Sequence, residues 1–233
     1  MKIQGSTVLV TGANRGLGLA FAKALLAAGA RKVYAGARDP STVKLPGVVP
    51  VKLDVNNPQD VAAAAALASD VDIVINNAGI TGGTPLLDAK DGDSNLRRIM
   101  ETNLYGVYNV SAAFAPVLKK NGGGALVNML SALSWISLET TSAYSVSKAA
   151  AWALTNSLRN ELRAQGTQVL GIHAGYIDTD MVSHVDAPKT SPDDIAKRTV
   201  EALERGDSEV LADDTAKYVK AGFNATPAAY LGA

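Results

Sequence analysis

The chain has 233 residues, 47% of them hydrophobic and 19% charged, with 22 basic against 22 acidic side chains. Such a composition supports one large globular core, and the absence of a basic surplus argues against a nucleic-acid binder. With no cysteine there are no disulfides or thiolate metal sites, and the histidines, His173 and His184, lie too far apart for ligand spacing, so no metal is expected.

The apolar run in MKIQGSTVLVTG is too short for a signal peptide, so Thr7–Val10 reads as a buried strand. No run of about 18 apolar residues follows, so no membrane span is expected and the protein is assigned to the cytoplasm. TGANRGLG, Thr11–Gly18, leads into an alanine-rich helix over Leu17–Ala28 that closes at Gly29. Its glycines, Gly12, Gly16 and Gly18, permit a tight turn and the approach of a pyrophosphate to the helix N-terminus. The second strand, Lys32–Gly36, ends beside Arg38. Together with Arg15 in the glycine loop, that arginine favours the 2′-phosphate of NADP, whereas a one-residue shift would bring Asp39 to the ribose and favour NAD.

Val48–Leu53 is the third strand, ending at Asp54-Val55, where the carboxylate either caps the next element or accepts from an adenine amine. A short helix over Val61–Ala68 and a fourth strand over Val71–Ile75 precede Asn76-Asn77-Ala78-Gly79. Adjacent asparagines after a buried strand must be satisfied, either by stitching strands together or by touching a cofactor. A long helix is expected over Asn95–Lys119, with Asn103 in its middle marking a kink or an ordered water. Ala125–Leu130 is the fifth strand, a helix runs to about Ala164, Val169–His173 is the sixth strand, and His173 reads as an ordinary strand residue. Ser191-Pro192-Asp193-Asp194 opens a helix to about Leu203, and Glu209–Ala212 is a seventh strand. The alternation predicts a doubly wound parallel α/β sheet, whose ligands bind beyond the carboxyl ends of the strands. The glycine loop, Asp54, the asparagine pair, Ser131 and Gly175 all fall at those ends.

Within SALSWISLETTSAYSVSK, Tyr144 and Lys148 lie one helical turn apart on one face, and Ser131 sits at a strand end. A phenol with a pKa of about 10 is a poor acid at neutral pH. The lysine charge is expected to pull it down toward the working range, with the serine hydroxyl holding the substrate oxygen.

These residues resemble the short-chain dehydrogenase/reductase family in its classical form, from Thr7 to about Ala212. The glycine motif matches Thr11–Gly18, the Asn-Asn-Ala-Gly motif matches Asn76–Gly79, the Tyr-x-x-x-Lys motif matches Tyr144 to Lys148, and the helix asparagine matches Asn103. The family's serine matches Ser131, with Ser134 a closer-spaced rival. The resemblance implies one Rossmann-type domain over 1–233, its cofactor half about 1–120 and its catalytic half about 121–233. It implies that Tyr144 gives a proton to a carbonyl oxygen as nicotinamide delivers hydride, that Lys148 lowers the phenol pKa and binds the ribose, that Ser131 orients the oxygen, and that Asn103 holds a water leading from Lys148. The cofactor, NADP(H) in preference to NAD(H), would lie along Gly12, Asn14, Arg15, Gly16, Leu17, Gly18, Arg38, Asp54, Val55, Asn77, Ala78, Gly79, Tyr144, Lys148, Gly175, Ile177 and Thr179.

Two departures stand out. Ala174-Gly175 replaces the usual Pro-Gly, and the lid segment Val182–Pro188 is short, so an open pocket lined by Leu133, Trp135, Tyr176 and Met181 is expected, suited to apolar or aromatic carbonyl substrates. The resemblance also implies a homodimer or homotetramer, with Trp152 a candidate interface residue. The competing readings are a non-catalytic NADP-binding regulator, which would ordinarily lack the tyrosine or lysine, and an extended-type epimerase or dehydratase, which would carry a larger substrate domain.

Overall fold

A computed structural model describes residues 1–231; the final two residues of the domain expected over 1–233 lie outside the described residues. Seven strands are β1 (Thr7–Thr11), β2 (Lys32–Ala37), β3 (Val49–Lys52), β4 (Ile73–Asn76), β5 (Ala125–Met129), β6 (Gln168–His173) and β7 (Glu209–Leu211). They form one sheet in the order β3-β2-β1-β4-β5-β6-β7, every neighbouring pair parallel. The order reverses between β1 and β4, and a crevice opens there beyond the strand ends.

Side-chain alternation builds the two faces. Val8 and Val10 of β1 point to one core and Leu9 to the other, and Ile73 and Ile75 of β4 are separated from Val74 in the same way. The first face is covered by α1 (Gly16–Ala27) and α6 (Pro192–Arg205), through Phe21, Leu25, Ile195 and Leu203. Removing Phe21 or Leu25 from water is worth about 1.5–3 kcal/mol each. The second face is covered by α2 (Pro58–Leu67), α4 (Gly106–Lys120) and α5 (Ser142–Glu161), through Val61, Phe114, Leu118 and Leu158. Helix α2 starts three residues before the expected Val61, because the Asn57 side chain accepts from the Gln59 and Asp60 amides and Pro58 fills the first position.

The single helix expected over Asn95–Lys119 is instead two. Helix α3 (Gly92–Met100) and α4 are joined by a π-helical turn, Glu101–Tyr105, that carries Asn103. A further helix not foreseen from sequence, α7 (Asp214–Ala221), follows β7 and is capped by Asp213, whose carboxylate accepts from the Ala216 amide. An aspartate directly before a helix is an ordinary cap signal, so α7 was open to detection.

The buried amides stitch the layers together. Asn76 Nδ2 donates to Asn128 Oδ1 at 2.9 Å and to Ser111 Oγ at 3.1 Å, and Asn128 Nδ2 donates to Thr155 Oγ1 at 2.9 Å. One polar chain thus crosses from α4 through β4 and β5 to α5. Asn128→Ala takes one of two acceptors from the Asn76 amide and the incoming donor from Thr155 Oγ1, which keep their bonds to Ser111 and to the Ala151 carbonyl, and should lower stability by about 1–3 kcal/mol. Urea unfolding followed by circular dichroism measures this, and an unchanged midpoint would show that the chain carries no net energy.

Candidate active site

The site lies where the loops after β1, β4, β5 and β6 converge. Gly12 and Gly16 hold φ values of +65° and +53°, and a Cβ on Gly18 would come within 2.1 Å of the Gly12 carbonyl oxygen. The turn therefore requires glycine, and what it presents is bare backbone at the start of α1. No side chain caps that helix start, so its first N–H groups and its dipole face the crevice as a cradle for an anion. The β4 loop fixes this turn. Asn77 Nδ2 donates to the Thr11 carbonyl at 2.9 Å and to the Gly12 carbonyl at 3.3 Å, and the Asn77 and Ala78 amides donate to Thr11 Oγ1 at 2.9 and 3.0 Å. Both asparagines are spent on binding segments together.

Two cations border the cradle. Arg38 is exposed at the end of β2. Arg15 is exposed and pairs with Asp180 at 3.0 Å, an ion pair between side chains 72% and 79% accessible and so worth no more than about 1 kcal/mol. Asp39 is committed locally, accepting from the Ser41 amide at 2.9 Å; the Ser41 side chain and then that amide hold its carboxyl below the usual range. Asn14 donates to Thr42 in the same turn. Asp54 sits half-buried after β3 and accepts from the Asn56 amide at 3.0 Å, while the carbonyl of buried Val55 accepts from Asn109. Leu17 is buried beneath the cradle.

On the other side stand Ser131, Tyr144 and Lys148. Ser131 caps a short 3₁₀ turn, Ala132–Ser134; its hydroxyl accepts from the Leu133 amide at 3.1 Å, and its own amide donates to Ser134 Oγ at 3.2 Å. The two serines that the sequence leaves as rivals thus divide the work, with Ser134 holding the turn and the Ser131 hydroxyl beside the phenol. Lys148 is 5% exposed, and its Nζ donates to the Met129 carbonyl at 2.7 Å and lies 5.6 Å from the centroid of the Tyr144 ring.

The expected depression of the phenol is not what this environment gives. Burial pushes Tyr144 up to about 12, with the Ser131 hydroxyl pulling the other way. The same burial pulls Lys148 down to about 8. Desolvation is the largest influence on both groups.

Asn103 lies in the π turn with its side chain fully engaged. Its amide nitrogen donates to the Ile80 carbonyl at 2.9 Å and to Ser147 Oγ at 3.0 Å, and its oxygen accepts from the Ile80 amide. A Cβ added to Gly79 would fall 3.3 Å from Asn103 Oδ1 and 3.9 Å from Lys148 Nζ, so the β4 loop, the π turn and the lysine share one small space. Gly175 packs against Thr215, and its amide donates to Asp213 Oδ2 at 2.7 Å. The loop that follows is pinned by a bridge between Ile177 and Thr190, and Thr179 abuts Gly16 from across the crevice.

Of the expected pocket lining, Leu133 and Tyr176 are partly exposed and Met181 is 40% exposed. Trp135 is not lining. It is buried under α7, stacked on His173 with ring centroids 3.8 Å apart and edge-on to Trp152 and Phe223. Trp152 packs edge-on against Trp135 and stays partly exposed. The supporting residues that sequence reasoning missed are Ser147, Asp213 and His173, and the supporting roles of Thr11 and Ser134 were not foreseen either. Most are small polar residues that hold loops rather than face a ligand, and only Asp213 carried a positional signal. Among the described residues, no three histidine, aspartate or glutamate side chains gather as a metal site, and no helix is long and apolar enough to cross a membrane.

The family model described as short chain dehydrogenase matches residues 6–190. A short chain dehydrogenase of Burkholderia cenocepacia, solved in complex with NADP, superposes with a TM-score of 0.93 at 41% identity, over 97% of this chain and 96% of its own. The 3-oxoacyl-[acyl-carrier-protein] reductase FabG of Vibrio cholerae is 31% identical over 190 residues, 78% of this chain and 77% of its own length. The short chain dehydrogenase tazN of Aspergillus terreus is 34% identical over 204 residues, 80% of this chain, and this chain spans only 44% of that relative.

The buried ammonium makes a stability prediction. A folded-state pKa below the ordinary 10.5 means that folded Lys148 gives up its proton more readily than an unfolded lysine. The cost of burying it is present in full below pH 8 and shrinks as pH rises from 8 toward 10.5, where the unfolded chain binds more protons. Lys148→Met should therefore raise stability by about 1–3 kcal/mol at pH 7 and by less at pH 10. Thermal unfolding at the two pH values reads this, and a destabilised variant at pH 7 would show that the Met129 bond outweighs desolvation.

Proposed function

This chain belongs to the short chain dehydrogenase family, and on that premise we propose that it is an NADPH-dependent oxidoreductase, reducing a ketone or aldehyde to an alcohol and reversible as an alcohol oxidation. The observation that carries the reading is the meeting of Ser131, Tyr144 and Lys148 at the strand ends beside the glycine cradle. The glycine cradle would hold a nicotinamide cofactor, which would supply hydride chemistry at the carbonyl carbon.

The chain's own groups handle the proton. With its pKa near 12, Tyr144 carries its proton at neutral pH, the form needed to protonate the developing alkoxide oxygen. The Ser131 hydroxyl donates to the same oxygen and fixes it against the phenol. Lys148, charged below pH 8, favours the phenolate that remains and would hold the ribose. Asn103 is a positioning residue here, since its side chain joins Ile80 to Ser147 beneath the lysine; a water leading from Lys148 would have to use the backbone of the π turn and not that amide.

The cradle formed by Gly12, Gly16 and Gly18 fits a pyrophosphate, with Leu17, Asn14, Asn77, Ala78 and Gly79 around it and Asp54 and Val55 at the adenine end. Ile177 and Thr179, anchored through Gly175, would meet the nicotinamide. Arg15 and Arg38 favour a 2′-phosphate, and Asp39, occupied in its cap, is a poor partner for a ribose hydroxyl. The similar Burkholderia protein was solved with NADP, which supports the same choice. The partly exposed Leu133, Tyr176 and Met181, together with the short segment after Met181, favour an open, apolar pocket; the similarity to a 3-oxoacyl reductase suits a ketone within a longer chain. A homodimer or homotetramer is the expected assembly, which light scattering would check.

The test is NADPH oxidation, beside NADH, across aldehydes, aryl ketones and ketoesters. NADPH should be preferred, and Tyr144→Phe should cut kcat by about 10²- to 10⁴-fold without loss of cofactor binding. Arg38→Ala should weaken NADPH binding by about tenfold or more and leave NADH nearly unchanged. Full activity in Tyr144→Phe would reject the assignment, and cofactor binding without turnover on any carbonyl would point to a regulator.

The pH profile is a separate check. The reduction rate should be level near neutrality and fall as pH rises through about 8, where Lys148 loses its charge. A rate that stays level to pH 10 would mean that the lysine charge is not needed.

A further inference from the structure

His173 is a buried imidazole that the proton transfer above does not use. It ends β6, two residues before the loop at Gly175, and is 1% exposed. Its Nδ1 lies 3.0 Å from the carbonyl oxygen of Ser131. A carbonyl only accepts, so the hydrogen is on Nδ1 and the ring is the neutral Nδ1–H tautomer. The charged groups around it come from three other elements: Glu209 of β7, whose Oε1 is 3.7 Å from Nε2; Lys220 of α7, which pairs with Glu209; and Lys148 of α5. Burial and the two lysines pull its pKa down to about 4, so the ring stays neutral and its contact with Glu209 is not an ion pair. On one flat face it is stacked by Trp135, 14° from parallel, and Lys220 Nζ sits 5.1 Å from the Trp135 ring centroid.

We infer that His173 is a positioning residue, whose Nδ1–H holds the main chain of Ser131 and thereby fixes the Ser131 hydroxyl against Tyr144. This inference rests on the reductase reading of the same site. The rest of the Ser131 main chain is already tied. Its amide goes to Ser134, and its carbonyl also receives the Ser134 amide at 3.0 Å. The 3₁₀ turn is only three residues long, so it has little stiffness of its own, and the imidazole supplies a support from outside the turn. Neutrality suits this role, because a second cation beside Lys148 would repel the charge that steadies the phenolate. The Trp135–Glu209–Lys220 frame holds the ring plane in place, which gives the aromatic cluster under α7 a use beyond packing.

The experiment compares His173→Leu, His173→Asn and His173→Gln with wild type and Tyr144→Phe. Asparagine returns a donor near the Nδ1 position, glutamine near Nε2, and leucine neither. His173→Leu should lower kcat by about 10- to 100-fold with the dissociation constant for NADPH unchanged. In the alcohol-oxidation direction, its rise in rate with pH should move to higher pH, because a displaced Ser131 hydroxyl no longer favours the phenolate. His173→Asn should recover most of both properties and His173→Gln should not. Wild-type kcat and an unmoved pH profile in a folded His173→Leu would overturn the inference. If the leucine variant does not fold, the other two decide, and equal activity of His173→Asn and His173→Gln would overturn it. Full activity in Tyr144→Phe would instead remove the reductase reading on which the inference stands, so the two failures are distinguishable.

Discussion

The structure is arranged around a desolvated charge. An ammonium at Lys148, 5% exposed, has to be brought to the end of β5 and given at least one acceptor there, and the Met129 carbonyl supplies it. Everything near it follows from that requirement. Helix α5 must dock with its first turns against the strand ends, which aligns Tyr144 one turn earlier and Ser147 one residue earlier. Ser147 in turn anchors Asn103, and the π turn that carries Asn103 brings its amide to Ile80. A regular α-helix through that stretch would rotate the side chains of everything beyond the added residue, so the break is what lets α3 and α4 both pack while the asparagine reaches inward.

The side of the glycine loop is built differently. The surface it presents is backbone and glycine, which cannot be rigid by itself, so its rigidity comes from neighbouring segments. Thr11 and Asn77 together make five hydrogen bonds between the β1 and β4 loops or within their ends. The polar chain from Ser111 through Asn76 and Asn128 to Thr155 does the same for the strands beneath. A buried polar network of this kind is costly when broken and specific when complete. Its members are small side chains that a substitution with an apolar residue of equal size would leave half satisfied.

Much of this was legible in the chain. Continuous apolar runs such as Val8-Leu9-Val10 pointed to the strands, their alternation with helices gave the doubly wound sheet, and the placement of the glycine loop, Asp54, the asparagine pair, Ser131 and Gly175 at strand ends gave the crevice. What was not legible depended on distance and dielectric. Spacing puts Lys148 next to Tyr144, but only burial tells whether the charge lowers the phenol or desolvation raises it. Trp135 reads as lining in sequence because it follows Ser131 closely; the 3₁₀ turn sends it under α7 instead. The long helix over Asn95–Lys119 looks continuous because a π turn preserves helical composition. Helix α7 lies beyond the last strand and is short, and its sequence signal is the capping Asp213.

The edge formed by β7 and α7 has a consequence for how the site is held. Strand β7 adds only three residues to the sheet, with Val210 packed into the first core. Yet this edge supplies Asp213 to the Gly175 amide, Thr215 to the flank of Gly175, and Glu209 and Lys220 to the frame around His173. The loop expected at the nicotinamide and the turn that carries Ser131 therefore lean on the same short edge. Motion of α7 would displace both together, the loop through Asp213 and the serine through the imidazole. A support shared in this way couples the turn at Ser131 to the loop at Gly175, because both are tied to the same edge.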